Sequence, residues 1–160
     1  EFLADFADEP LPGDPRPALV ERLLDVIGTE GTVLAWNKAF ERSVLEELGE
    51  VLPTRAKELA AVGERLDDLM IPFRSFWVHH PKQKGSCSLK AVLPALTPLT
   101  YDHLAINDGQ AAGREYARVL YEHMELEDRD EILQAMRDYC RLDTLAMVEI
   151  LDPLDDLAGD

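Results

Sequence analysis

The sequence predicts a mostly helical α/β domain, and three observations carry that expectation. Apolar residues recur every three or four positions along most of the chain, which is the spacing of one helix face. One short run, "TVLAW" at 32–36, is instead continuously apolar and rich in strand formers, bounded by Gly31 and Asn37. Hydrophobic residues make up 46% of the 160 positions, enough for an ordinary core in a single domain over residues 1–160.

The elements follow in order. "DPRPALVERLLDVIGTEG" reads as a helix with Asp14 as candidate N-cap and Pro15 in its first turn. Leu19, Leu23, Leu24 and Ile27 form its apolar stripe, and Gly28 and Gly31 flank its end. "TVLAW" is then expected to be a buried strand. The next helix carries Phe40, Val44, Leu45 and Leu48 on one face and stops near Pro53. Residues 54–70 read as another helix, with Asp67 and Asp68 capping or ending it before Pro72. "FRSFWVHHPKQKGSCS" is expected to be a loop with a short extended piece. Ser88 is placed to cap the short helix "LKAVLPAL", and "LTPLTYDHLAINDG" is rich in turn residues. Asp108 looks like the N-cap of a helix through Tyr116, Leu120 and Met124. The last helix begins near Glu127 and points Ile132, Met136, Tyr139, Leu142, Leu145, Ala146 and Ile150 inward. The acidic end, 152–160, is expected to fray.

Several classes are excluded early. No apolar run reaches the roughly 18–20 residues that span a bilayer, and no signal-peptide pattern is present, so a membrane partner is not expected. Cys87 and Cys140 make no C-x-x-C pair and fit buried or partly buried thiols in a reducing, cytoplasmic setting. The chain starts at Glu1 inside an amphipathic segment with Phe2, Leu3 and Phe6, which suggests a piece of a longer protein.

A formal charge of −16 argues at first against nucleic acid, because phosphate binding rests on Lys and Arg. The distribution softens this. Between Leu69 and Tyr101 there is no Asp or Glu, yet Arg74, Lys82, Lys84 and Lys90 occur there with His79 and His80. Such a stretch either holds a phosphate backbone or merely solvates itself.

Two constellations bear chemistry. In "AWNKAFE" the strand delivers Asn37 at its carboxyl end, and Glu41 follows one helical turn later. Ligands of open α/β sheets gather outside strand carboxyl ends, and a carboxylate there can bind Mg²⁺ or Mn²⁺. It can equally complement the helix dipole. In "YCRLDT" Tyr139 precedes Asp143 by four residues, so phenol and carboxylate share a helix face.

An N-x-x-x-acid after a strand, paired with a late Y-x-x-x-D helix, resembles the DEDD exonucleases. These are the DnaQ-like proofreading nucleases of the RNase H-like superfamily, here in their tyrosine-bearing subclass. "EFLAD", "DPRPALVERLLDVIG", "NKAFERSVLEEL", "RLDDLMIPFR", "GSCSLKAVLPAL", "DGQAA" and "YCRLDTLAMV" together are similar to one bacterial family catalogued as a domain of unknown function. Its members carry the DnaQ-like domain near the carboxyl end of a longer protein.

The resemblance implies an RNase H-like fold and two-metal phosphodiester hydrolysis, with Mg²⁺ or Mn²⁺ ions roughly 3.5–4 Å apart. Glu41 and Asp143 would be metal ligands, and Tyr139 would orient the attacking water. Asn37 would support the motif or touch the substrate, a single-stranded 3′ end, while Lys90 and the basic residues Arg74, Lys82 and Lys84 would meet phosphates. Two departures stand out. Glu41 occupies a place where the motif usually has Asp. The first motif, an Asp-x-Glu on the first strand, has no match; "DFADEP" at 5–10 is short and broken by Pro10. By resemblance the chain begins after the first strands, is inactive alone, and would cover its exposed faces by forming a homodimer.

Other sites are weaker. His79, His80 and Cys87, with Cys140 or His103, lack the tight ligand pairs of zinc sites. "GSCS" lacks the G-x-S-x-G spacing of a nucleophile elbow. Trp36 reads as core, whereas Trp77 either packs or stacks on bases. The competing reading is a non-catalytic acidic interaction module that keeps the nuclease fold.

Overall fold

A computed structural model describes residues 13–158. The amphipathic start (Phe2, Leu3, Phe6) and the acids of "DFADEP" lie outside the described residues. The described chain divides into two compact units, residues 13–79 and 80–158.

The first unit opens with α1 (Arg16–Ile27). Asp14 does not act as a simple N-cap: its Oδ1 accepts from the Arg16 backbone N–H at 3.0 Å and from Arg16 Nε at 2.7 Å. Gly28, at φ 63°, ends the helix and donates its N–H to Leu24 O, a backbone turn that L side chains resist. β1 (Val33–Ala35) follows, then α2 (Lys38–Val51) and α3 (Ala56–Arg65). The segment expected to finish a helix instead leaves it. Leu66 adopts φ −63°, ψ 136°, and Leu66–Asp68 forms β2, parallel to β1 with Val33 opposite Leu66 and Ala35 opposite Asp68. A parallel pair needs a crossover, and α2 and α3 supply it. β1 is covered on one side only, since Ala35 is buried while Leu34 faces solvent.

Val20, Ala35, Leu45, Leu48, Leu59, Val62 and Leu66 form the buried cluster of this unit, with Leu23, Leu24, Ile27, Val33, Val44 and Leu52 packed around it. Gly49 lets α2 approach α3 closely: a Cβ there would sit 3.4 Å from Ala56 Cα. A short helix, α4 (Ile71–Arg74), runs into the first two residues of the stretch expected to be loop.

In the second unit a 3₁₀ turn (Pro81–Gln83) is capped by His80, whose Nδ1 accepts from Lys82 N–H at 3.2 Å. The buried Gln83 side chain closes the cap by accepting from His80 N–H at 2.7 Å. α5 (Leu89–Leu96) starts at Ser88, whose carbonyl rather than hydroxyl meets the first turn. Asp108 does cap α6 (Gly109–Tyr121), accepting from Ala111 N–H at 2.8 Å. α7 (Leu126–Ala158) is 33 residues long and packs against both α5 and α6. Its acidic end, expected to fray, stays helical to Ala158 despite Pro153. On its inner face Met136, Leu142, Ala146 and Ile150 are buried as the spacing requires, together with Leu133; Leu145 is exposed instead. Cys87 is half-buried and Cys140 exposed, with no disulfide between them.

Candidate functional site

The most structured polar cluster among the sequence-chosen residues lies on α7. Asp143 and Tyr139 stand one turn apart, both half-buried. A third side chain joins them. Tyr101, buried in the turn-rich segment after α5, donates its hydroxyl to Asp143 Oδ1 at 2.6 Å. That is the short length of a hydrogen bond to a charged acceptor. The rings of Tyr101 and Tyr139 lie 6.2 Å apart, tilted by 54°. Burial raises the Tyr101 phenol well above its ordinary value, and the hydrogen bond and charge of Asp143 add to this. Tyr139 is pushed up to about 12, by burial first and then by the charge and hydrogen bonding of Asp143. Both phenols are therefore neutral donors at any physiological pH.

Asp108 belongs to the same neighbourhood, since its charge contributes to the upward shift of Tyr139. The Ala111 N–H holds Asp108 below its usual range, with the Gln110 N–H and the charges of Lys90 and Arg114 adding to the effect. Lys90, exposed in the first turn of α5, is thus brought near the N-terminus of α6.

In the first unit, Asn37 stands at the carboxyl end of β1 as the residue before α2. Its carbonyl accepts from Phe40 N–H at 3.0 Å and Glu41 N–H at 3.1 Å, and its side chain makes no capping bond. Glu41 is exposed on the first turn of α2, yet desolvation by the protein around it raises its carboxyl above the ordinary value. Asp68 occupies the matching end of the parallel partner strand. Its side chain is only 6% exposed, and its Oδ1 accepts from Met70 N–H at 2.9 Å while Oδ2 lies 3.7 Å from Arg74. The acid read as a helix end therefore holds the turn into α4. Arg74 is tied to it, whereas Lys82 and Lys84 are exposed around the 3₁₀ turn, Lys84 at φ 51°.

The donor chemistry of Glu41 and Asp143 suits a hard oxygen-seeking cation. Among the described residues, however, no three of His, Cys, Asp and Glu gather as a metal site would need. Sequence reasoning missed Tyr101, because its contact with Asp143 crosses 42 residues and leaves no local spacing to read.

The described residues are mostly helical, with a short parallel strand pair in the first unit and an Asp flanked by two tyrosines in the second. The chain belongs to the family described as "Domain of unknown function (DUF2779)", whose model matches residues 1–88, from the N-terminus through the 3₁₀ turn. No curated protein and no solved structure matches it. No helix among the described residues is long and apolar enough to cross a membrane.

Proposed function

We propose that this chain is part of a DnaQ-like, metal-dependent 3′-to-5′ exonuclease with an RNase H-like fold. It would hydrolyse phosphodiester bonds at single-stranded nucleic-acid ends with Mg²⁺ or Mn²⁺. The observation that carries this reading is the Y-x-x-x-D turn of α7, in which Asp143 is half-buried and fixed by a phenol at 2.6 Å. A carboxylate held in one orientation, on a rigid helix, is what a metal ligand requires. Support also comes from Asn37 and Glu41 at the carboxyl end of a strand with a parallel neighbour. Asp143 and Glu41 would serve as ligands and Tyr139 would align the attacking water, with further acids supplied from outside the described residues. The pKa of Tyr139, about 12, suits it to donate a hydrogen bond rather than to act as a base.

A second reading has its own observation. The lack of a three-ligand cluster among the described residues favours a non-catalytic module that keeps the fold and docks another domain. One experiment separates the two. The whole natural protein containing this chain is incubated with 5′-labelled single-stranded DNA or RNA and Mn²⁺ or Mg²⁺, beside Asp143→Asn. Stepwise shortening from the 3′ end, lost by at least about a hundredfold in the variant, is the expected result. A folded protein that degrades neither substrate supports the module instead.

A further inference from the structure

We propose that the end of α4 and the turn after it, residues 74–79, form a stacking platform for single-stranded nucleic acid. Phe76 and Trp77 would take base faces and Arg74 a phosphate. The inference rests on the exonuclease reading for its ligand class and adds a contact surface that the DEDD motifs do not include.

Two large aromatic side chains are adjacent and open to solvent here, Phe76 at 68% and Trp77 at 74%. They are not loose. Phe76 N–H donates to Phe73 O at 3.1 Å, and the N–H groups of Trp77 and Val78 both donate to Pro72 O, at 2.9 and 3.1 Å. The turn is held in a conformation that its own sequence disfavours. Phe76 has φ 57°, the left-handed region, where a bulky L residue is strained and glycine is not. A glycine would make this turn without strain, so the aromatic is kept for something other than the turn. Strained positions of this kind cluster at ligand sites.

Packing does not explain the aromatic either. Phe73, three residues earlier, is buried and stacks on Trp36 with ring centroids 5.5 Å apart, so this segment already has its core anchor. Phe76 itself stays 68% exposed, with the His79 ring at 6.1 Å and tilted by 35°.

The flanking chemistry chooses the ligand. Arg74 leaves 55% of its side chain exposed while Asp68 tethers it from below at 3.7 Å. The sequence from Leu69 to Tyr101 contains no acid, in a chain of net charge −16. An acid-free segment with a guanidinium, an imidazole and two presented π-faces suits a flexible polyanion with exposed bases. The exposed residues beside the pair in sequence, Arg74, Ser75 and His79, are polar.

The test uses the whole natural protein in EDTA, so that hydrolysis does not enter, and labelled oligo-dT and oligo-U read by anisotropy. The parent should bind single strands more tightly than a duplex of equal length, with affinity falling as salt rises. Phe76→Gly and Trp77→Ala should each weaken single-strand binding about tenfold. Phe76→Gly should also melt no lower than the parent, because glycine accepts the left-handed turn; this separates a lost contact from a lost fold. Unchanged affinity in both variants overturns the proposal. So does a Trp77→Ala protein whose only change is a smaller sedimentation coefficient, which would make the patch a self-association face. The exonuclease reading fails separately: a protein that binds through Phe76 and Trp77 yet degrades nothing keeps the platform and loses the nuclease.

Discussion

Asp143 shows how much one side chain can depend on a residue distant in sequence. Its carboxylate is half-buried on α7 and accepts the Tyr101 hydroxyl at 2.6 Å. Removing a donor from a partly desolvated carboxylate costs more than an average hydrogen bond, about 1.5–3 kcal/mol. Tyr101→Phe keeps the ring and its packing and removes only the oxygen. It should therefore lower stability by about 1.5–3 kcal/mol, seen in urea as a lower midpoint with an unchanged slope. An unchanged midpoint would mean that the bond is not made in solution. Tyr139→Phe should cost less, because Tyr139 is less buried than Tyr101. The Tyr139–Asp143 pair was legible in the sequence, since a four-residue spacing on a helix is a geometric statement. Tyr101 was not, because nothing in "LTYDHL" says which distant acid it will meet.

Among the elements, the clearest dependence is that of the α1–β1 turn on one arginine at the end of α3. Arg65 Nε donates to Gly31 O at 2.7 Å and Nη1 to Gly28 O at 2.8 Å. Its Nη2 donates to Glu30 O and, at 3.4 Å, to Ile27 O. These carbonyls belong to the end of α1 and the turn beyond it, where helix carbonyls lack intrahelical partners and carry partial negative charge. Only a planar fork reaches them together, so lysine is no substitute. Arg65→Ala should destabilise the protein by about 2–3 kcal/mol, and Arg65→Lys should restore less than half of that, both read from thermal unfolding. The same region explains where sequence reading stopped. The longer helices and β1 followed from periodicity and strand formers, but "LDD" at 66–68 has no strand propensity of its own. Its strand exists because Leu66 enters the buried cluster and its backbone pairs with β1. Likewise Phe76 and Trp77 read ambiguously as sequence. Their presentation is set by the backbone of one turn, including a left-handed residue that no apolar pattern encodes.

Across the whole molecule the charge of −16 sets the response to pH and salt. Self-repulsion already works against the compact state at pH 7, and salt should relieve it. Raising the pH adds a second, separable loss. Tyr101 and Tyr139 both have folded-state values above the ordinary phenol, Tyr139 at about 12. The unfolded chain loses these protons first, near pH 10, while the folded chain keeps them. Their contribution to stability is complete below about pH 10 and declines as pH rises toward 12 and beyond. Urea midpoints measured from pH 8 to above 11 should therefore fall steeply at the alkaline end. At low salt the fall combines repulsion with phenol ionisation. At high salt the repulsive part is screened, but the phenol part survives because Tyr101 is buried and Tyr139 half-buried, so that salt screens them less. Replacing both Tyr101 and Tyr139 by Phe should flatten the high-salt profile while leaving the salt dependence at pH 7 intact. If the double variant keeps the parent's alkaline slope at high salt, the two phenols are not the groups that couple folding to proton loss. The cluster around Asp143 would then be more open to water than its burial indicates.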